Sequence, residues 1–177
     1  MIRHPTRTPW NLSARLSLSL AMAMVVSGVH ADEHERAARV PHLKLYTQEC
    51  AACHLAYPPG MLPAASWARL MNGLDQHYGT DAALDAKDVQ QISQWLQTHA
   101  DERRRASAPP ADDRITRTGW FVREHRDIEP ATWRLPSVRS ASNCLACHTG
   151  AERSQFSEHA LRMPAGLSAR QRAAWDD

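Results

Sequence analysis

The pattern Cys-x-x-Cys-His occurs twice in this chain, as Cys50-Ala51-Ala52-Cys53-His54 and as Cys144-Leu145-Ala146-Cys147-His148. These two stretches contain all four cysteines of the 177 residues. The pattern is the attachment signature of a c-type haem, in which two thiols bind one porphyrin and the adjoining histidine binds the iron. We therefore predict two covalent haem c groups, with thioether bonds at Cys50, Cys53, Cys144 and Cys147 and proximal iron ligands at His54 and His148.

Two other uses of paired cysteines, a zinc site and disulfide bonds, agree less well with the sequence. Four-cysteine zinc modules usually place their pairs about 12–20 residues apart, whereas 90 residues separate Cys53 from Cys144. Neither zinc nor a disulfide explains why a histidine follows both pairs. Haem attachment accounts for every residue of the pattern and indicates a role in redox chemistry.

Residues 1–31 have the pattern of a secretory signal peptide. Arg3, Arg7 and Arg15 form a basic region, which the apolar run 16–26 follows. That run is shorter than the ~20 residues needed to span a bilayer, so an uncleaved anchor is the lesser alternative. Because c-type haem is normally attached outside the bacterial cytoplasmic membrane, we expect a periplasmic protein without a transmembrane segment after cleavage.

Removal of the predicted signal changes the balance of charge. The whole chain has 21 basic and 19 acidic side chains, and the signal holds three of the basic ones and none of the acidic ones. The remainder has 18 basic and 19 acidic side chains, a formal charge of −1 before the haem propionates are counted. This charge does not favour nucleic-acid binding, and Arg103-Arg104-Arg105 reads as part of a solvated linker.

The expected mature chain of 146 residues divides near residues 101–113. This stretch, DERRRASAPPADD, is charged and contains a pair of prolines, as is typical of an exposed connector. We predict an N-terminal haem lobe at 32–100, a linker at 101–113, a C-terminal haem lobe at 114–164 and a C-terminal tail at 165–177. The sequence leaves open whether the two lobes are distinct bodies.

Apolar side chains recur at helical spacing along much of the chain. The series are Leu43, Tyr46, Cys50 and Cys53; Trp67, Leu70, Met71 and Leu74; and Val89, Ile92, Trp95 and His99. Asp85 is a candidate cap for the helix of the third series, and Asn143 or Ser142 is a candidate cap for the turn that carries the second motif. No stretch shows the sustained alternation of a β-strand. We predict a mainly α, cytochrome c-like protein with long irregular segments wrapped around two haems.

Each proximal histidine leaves one axial position of its iron to be filled, and the occupant decides what the iron can do. A second histidine gives a low-spin electron carrier, methionine raises the potential, and an open position permits ligand binding or catalysis. His77 and His125 each follow an apolar stretch, where a helix end could face a haem. They are candidates for distal ligands, with His159 as a rival.

Other side chains stay open as competitors for the distal positions. The remaining histidines are His34 near the expected new N-terminus, His42 before the first haem helix and His99 at a helix end, where a cation favours the helix dipole. The methionines are Met61, Met71 and Met163. Met71 lies on an apolar helix face, which favours ordinary core packing.

Four segments resemble the small periplasmic dihaem cytochrome c family, often called DHC. They are ECAACHLAYPPGMLPAASW at 49–67, HYGTDAALD at 77–85, RITRTGWFVREHRDI at 114–128 and SNCLACHTGAERSQF at 142–156. The Cys-x-x-Cys-His motif alone is shared by very many cytochromes, but its combination with AYPP, HYG and REHR is far more specific. One position departs from the family pattern, because this chain has Ser154 where the family often has glycine.

The resemblance implies an electron carrier with two low-spin haems rather than an enzyme. It favours His77 and His125 over His159 as distal ligands, because both lie inside matching segments. It also implies a membrane b-type cytochrome as electron donor and a small soluble c-type haem protein as acceptor. A peroxidase-like haem enzyme and a haem gas sensor remain as alternatives, and each would need one iron with an open axial position.

Overall fold

The computed structural model describes residues 40–100, 108–173 and 175 of the chain. Within these residues, five α-helices are joined by turns and short 3-10 helices, and no β-strand forms. The α-helices are α1 (Lys44–Cys50), α2 (Ala64–Asn72), α3 (Ala86–His99), α4 (Gly119–Glu124) and α5 (Ala169–Ala173). The prediction of a mainly α fold is confirmed.

Some predictions fall on other parts of the chain. The signal peptide at 1–31, His34 and residues 101–107 of the linker lie outside the described residues. Among the helices that the structure describes, none has the length and apolar character needed to cross a membrane.

One apolar core holds the first three helices together. Trp67 and Met71 lie one turn apart on α2, and Ile92 and Leu96 do so on α3, so each helix presents an apolar stripe. All four side chains are buried, and Ile92 and Leu96 are almost completely so. Tyr46 of α1 belongs to the same cluster. The core therefore anchors the end of α1, where the first motif begins.

Between and after the α-helices, the chain turns through short 3-10 helices. These are Pro59–Met61, Leu74–Gln76, Ala111–Asp113, Ile115–Arg117, Thr132–Arg134, Cys144–Ala146, Ala151–Arg153 and Glu158–Ala160. The expected side-chain caps do not form: Asp85 and Asn143 hold N-cap positions without a capping hydrogen bond. Asn143 instead donates from Nδ2 to the Val138 carbonyl at 2.9 Å, because that backbone acceptor lies within its reach. Such turns, more than long helices, shape the C-terminal half.

The chain that enters the C-terminal half packs against the N-terminal helices. Asp113 accepts two hydrogen bonds from Arg69 of α2, at 2.8 Å from Nε and 2.6 Å from Nη2. These bonds hold the pKa of Asp113 below its ordinary value. Trp120 of α4 donates from Nε1 to the Met61 carbonyl at 3.4 Å. The described residues all lie within one compact unit, and the predicted boundaries of lobes and linker stay a prediction.

The C-terminal segment ends in a docked helix. At the start of α5, the Ser168 N–H donates to Gln171 Oε1 at 2.8 Å and the Gln171 N–H donates to Ser168 Oγ at 3.2 Å. This reciprocal pair is a capping box. Gln171 also donates from Nε2 to the buried Thr132 hydroxyl at 3.0 Å. The helix is thereby tied to the turn at 132–134.

Ser154 has a backbone conformation that favours glycine. Its φ is 57°, in the left-handed region, at the end of the turn Ala151–Arg153. A residue with a Cβ pays about 1 kcal/mol there, because the Cβ approaches a carbonyl oxygen. A serine at this position therefore has an energetic cost in this chain.

We expect Ser154→Gly to stabilise the haem-loaded protein by about 1 kcal/mol, since glycine adopts positive φ without strain. Ser157→Gly is the matched control, because Ser157 has φ −61° and its hydroxyl accepts the His159 N–H at 3.2 Å. That substitution is expected to destabilise by about 0.3 kcal/mol. Thermal unfolding followed by circular dichroism measures both, and a destabilised Ser154→Gly protein contradicts the expectation.

Candidate haem sites

The first motif begins at the last residue of α1 and continues through a turn. The Ala51 N–H donates to the Thr47 carbonyl at 3.0 Å and closes the helix end. Cys50 is half-buried there, Cys53 is exposed, and both thiols are free. Because the core anchors α1, it also fixes the point from which His54 projects.

His77 faces His54 at this first site. The two ring centroids are 6.1 Å apart and the ring planes differ by 23°. The backbone reverses direction directly after His77, because Tyr78 has φ 51° and Gly79 has φ 93°. The Thr80 N–H consequently returns to donate to the His77 carbonyl at 3.1 Å. A tight turn with positive φ angles thus holds the second imidazole in place.

His125 faces His148 at the second site. Their ring centroids are also 6.1 Å apart, but the ring planes differ by 75°. His125 ends α4, and its N–H donates to the Phe121 carbonyl at 3.1 Å. His148 ends the second motif, and its N–H donates to the Cys144 carbonyl at 2.8 Å. A helix terminus, rather than a turn, presents the second imidazole here.

The spacing in both pairs matches one iron between two imidazoles. A metal–imidazole bond is about 2 Å long and the ring centroid lies about 1 Å behind the nitrogen, so two opposed ligands have centroids about 6 Å apart. Stacked rings in direct contact pack more closely, as the 4.0 Å between Phe121 and His125 shows, whereas tilted rings in contact reach a similar spacing, as the 6.2 Å between Phe121 and Trp133 shows. Each histidine pair therefore has a spacing that an iron between two imidazoles would fit.

The ring nitrogens also suit metal binding. Nδ1 of His54 lies 2.7 Å from the next residue's carbonyl, and Nδ1 of His125 lies 2.9 Å from the Phe121 carbonyl. A carbonyl only accepts, so Nδ1 carries the proton and Nε2 keeps the lone pair that binds metal. Nδ1 of His77 and of His148 is buried without a partner in the described part of the chain. Such an orphaned nitrogen is typical of a site completed by a ligand or water.

Both sites favour the neutral imidazole that coordinates iron. Burial lowers the pKa of His77, and the nearby His54 and Arg114 lower it further. Burial likewise lowers the pKa of His148, with a contribution from His125. A protonated ring has no lone pair to offer, so these shifts keep the ligand nitrogen available at neutral pH.

Burial favours the uncharged form of the thiols of Cys50, Cys144 and Cys147 by raising the pKa of each. Burial, with repulsion from Glu49 second, raises the pKa of Cys50 to about 11. Burial also raises the pKa of Cys144 to about 11. Zinc requires thiolates, and among the described residues no three His, Cys, Asp or Glu side chains gather as metal ligands. All four cysteines are unpaired, so neither a zinc site nor a disulfide finds support.

Aromatic side chains surround the second pair. Phe121 stacks on His125 with ring planes 18° apart, and the Trp133 ring lies 5.8 Å from His125. The Phe156 ring lies 5.4 Å from His148. Helical spacing connects Phe121 with His125, four residues later. No local pattern in the sequence indicates Trp133 or Phe156, which only the fold brings to this site.

Exposed apolar side chains adjoin both pairs. In the described part of the chain, the large ones are Tyr78, Val122, Leu161 and Met163. Val122 lies three residues before His125, on the same side of α4. Leu161 is paired with His148 in an antiparallel bridge, so the two side chains share a face. Apolar groups in these positions fit the faces of a porphyrin, which would remove them from water.

The other histidine candidates have different surroundings. His42 shares a 2.9 Å hydrogen bond from Nε2 with a threonine hydroxyl, and Nδ1 of His99 lies 2.8 Å from a carbonyl of its own helix. His159, the rival, is exposed. The imidazole that neighbours His148 is that of His125, and Phe156 is the other ring beside it.

The methionine candidates occupy three different environments. Met71 belongs to the N-terminal apolar cluster, as its helical pattern indicates. Met61 is buried, and its carbonyl accepts the bond from Trp120. Met163 is 42% exposed. Each motif histidine is paired with a second histidine rather than with a methionine.

Comparison with known proteins identifies the family of this two-site arrangement. A family model described as dihaem cytochrome c matches residues 46–156, a range that contains both motifs, His77 and His125. The chain belongs to the dihaem cytochrome c family. Two haem c groups follow from this membership, as does the role of an electron-transfer cytochrome.

Solved structures of this cytochrome family resemble the chain along nearly their full length. DHC purified from Rhodobacter sphaeroides is 43% identical with a TM-score of 0.57, and the match covers 66% of this chain and 99% of that one. A dihaem cytochrome type c from Shewanella baltica OS155 is 33% identical with a TM-score of 0.62, covering 71% of this chain and 96% of that one. No curated protein matches the chain. The structural matches support the helical cytochrome c-like fold.

Arg114 and Tyr78 clamp the turn that carries His77. The Arg114 guanidinium carbon lies 4.1 Å above the Tyr78 ring centroid, a cation–π arrangement. The Tyr78 hydroxyl lies 3.0 Å from the Asp112 carbonyl and 3.1 Å from the Asp113 carbonyl. A positive charge is therefore held beside the first pair.

We expect Arg114→Gln to lower the midpoint potential of the first haem by about 20–60 mV, because a nearby positive charge favours the ferrous iron. Arg117→Gln is the control: it removes the same charge from the same segment, where Arg117 bonds to the exposed Asp112 carboxylate at 2.7 Å. A spectroelectrochemical titration of the three proteins measures the effect. Equal shifts of the midpoint potential in both variants would show an effect of net charge rather than of the position of Arg114.

We expect simultaneous replacement of Cys50 and Cys53 by alanine to remove one of the two covalent haems, because these thiols attach the porphyrin at the first site. The pyridine haemochrome assay measures haem per chain, and thermal unfolding measures the accompanying loss of stability. The matched control replaces Cys144 and Cys147 and should remove the other haem. Parent-like haem content in either double variant contradicts the assignment of its motif.

Proposed function

We propose that this cytochrome is a periplasmic electron carrier that takes electrons from a membrane b-type cytochrome and passes them to a small soluble c-type haem protein. The observation that supports this best is the pairing of each motif histidine with a second histidine, at 6.1 Å in both sites. An iron with an imidazole on each side has no free position for a substrate. One-electron exchange requires no free coordination position at the iron.

In this proposal the chain supplies every covalent and axial bond to the two groups. The thioethers are at Cys50, Cys53, Cys144 and Cys147, the proximal ligands are His54 and His148, and the distal ligands are His77 and His125. When bound, each haem supplies an iron that alternates between ferric and ferrous states by one electron. The task of the protein is then to hold four imidazoles in the same positions in both states.

Hydrogen bonding at the ligands favours low potentials. Nδ1 of His54 and Nδ1 of His125 each donate to a backbone carbonyl. Such bonds fix the ring orientation and raise the basicity of the coordinating nitrogen. A more basic ligand favours ferric iron, and a second histidine lowers the potential relative to methionine. Both features lower the potentials of the two irons and so favour the donation of electrons to the acceptor.

The periplasmic location and the named partners rest on the sequence. The signal-like pattern of residues 1–31 supports export, and the family resemblance supports the two partners. Cell fractionation and N-terminal sequencing test the location, with a mature chain that starts at Asp32 as the expected result. Reduction by quinol-supplied membranes that contain a b-type cytochrome tests the donor.

A peroxidase-like enzyme or a gas sensor is the alternative, and each would need an open iron. An enzyme would also need an acid–base group over that iron, and Glu124 beside His125 is the residue to consider. Its carboxylate instead lies 3.0 Å from Arg123 Nε, and both side chains are more than half exposed. This arrangement favours the electron carrier.

The ring angles predict two distinguishable spectra for the oxidised protein. Nearly parallel imidazole planes, as in the 23° pair, separate the iron d orbitals more than nearly perpendicular planes, as in the 75° pair. We expect low-temperature EPR to show one rhombic and one strongly anisotropic low-spin signal. A high-spin signal in the parent protein would favour the enzyme or the sensor.

Substitution of the distal candidates tests the assignment of each ligand. We expect His77→Ala to abolish the rhombic signal and His125→Ala to abolish the anisotropic one, each producing a high-spin haem that binds cyanide. His159→Ala is the control and should keep both parent signals. If His77→Ala and His125→Ala both retained the parent spectrum, the distal assignments would be wrong.

A further inference from the structure

Tyr57 touches both candidate haem sites. Its ring stacks on the His54 ring, with centroids 5.1 Å apart and planes 26° apart. Its hydroxyl donates to the Ser142 carbonyl at 2.8 Å, across 85 residues of chain. Ser142 lies two residues before Cys144, and the Cys144 thiol lies 3.7 Å from the same carbonyl. One side chain thus joins the proximal imidazole of the first site to the attachment segment of the second.

The surroundings hold this side chain in a defined position. The buried Tyr46 donates from its hydroxyl to the Tyr57 carbonyl at 2.7 Å, which ties the backbone of Tyr57 to the N-terminal core. Two prolines, Pro58 and Pro59, follow directly and restrict the chain. On the accepting side, the Ser142 N–H bonds to the Ser140 hydroxyl at 3.2 Å. Both ends of the contact are therefore fixed independently of it.

We propose that Tyr57 is a positioning residue that bridges the two haem sites and promotes electron exchange between them. This inference rests on the proposed electron-carrier function. In each exchange, one electron leaves the ferrous iron of one site and reduces the ferric iron of the other. No covalent bond forms or breaks, and the phenol keeps its proton and is not itself oxidised. The ring and the hydrogen bond of Tyr57 connect the His54 imidazole to the segment before Cys144. Without them, a gap would separate these two groups.

The geometry distinguishes this role from ordinary core packing. Tyr57 is half-buried, so its hydroxyl could reach water instead of a carbonyl in the opposite half. Tyr46 provides the contrast, because it is 5% exposed and bonds within the N-terminal half. Removing one hydroxyl from each residue in turn therefore separates a bridge between the sites from a contact within the core.

The test compares haem-loaded full-length Tyr57→Phe and Tyr46→Phe with the parent. Pulse radiolysis delivers one electron per molecule, and absorbance then follows its redistribution between the two haems. A phase whose rate does not depend on protein concentration reports exchange within one molecule. We expect this rate to fall several-fold in Tyr57→Phe, because the substitution removes the hydrogen-bonded contact with the segment of the second site. Tyr46→Phe should slow exchange less than Tyr57→Phe, because it removes a bond to the Tyr57 backbone and keeps the Tyr57 ring and hydroxyl.

Potentials and EPR spectra of the same samples complete the test. Both low-spin signals and both midpoint potentials should be unchanged in Tyr57→Phe, because no ligand is altered. Tyr57→Leu, which also removes the ring, should slow exchange further. A parent rate in Tyr57→Phe, or an equal loss in Tyr46→Phe, overturns the bridge while the carrier function stands. A parent with a high-spin haem, or without a concentration-independent phase, overturns both.

Discussion

An iron between two imidazole ligands would hold their ring centroids about 6 Å apart, and two histidine pairs in this chain have that spacing. At the first site the second ring belongs to His77, directly before a turn through the positive φ angles of Tyr78 and Gly79. At the second, it projects from the end of α4. In both pairs the ring centroids are 6.1 Å apart, but the angle between the ring planes is 23° at the first site and 75° at the second. The two sites therefore share a ligand type while differing in electronic environment.

The two histidine pairs are surrounded by different kinds of structure. The N-terminal half has a clustered apolar core of its own, whereas the C-terminal half consists largely of 3-10 turns. There Val122 and Leu161 are exposed beside the second pair. Short chains often depend on a bound group to complete their apolar core. The porphyrin then acts as a structural element of the C-terminal half as well as a redox centre.

Contacts between the halves converge on the haem sites. Asp113 and Arg69 join the entering chain to α2, and the adjacent Arg114 and Tyr78 lie beside the first pair. The hydrogen bond from Tyr57 reaches the segment that carries the second motif. Polar links of this kind fix the relative positions of ligands that come from distant parts of the chain. Such rigidity suits one-electron exchange, in which no bond at the iron needs to change.

Local pattern alone is sufficient to predict the two attachment sites, because five consecutive residues carry the whole chemistry of each. Helices α2 and α3 are also predictable, since their apolar stripes repeat at helical spacing. The sequence offers His77 and His125 only among several candidates, and it gives no sign of the contact between Tyr57 and Ser142. Tertiary structure decides these features. They depend on distances between residues far apart in the chain, which the packing of the core and the backbone angles of single turns determine together.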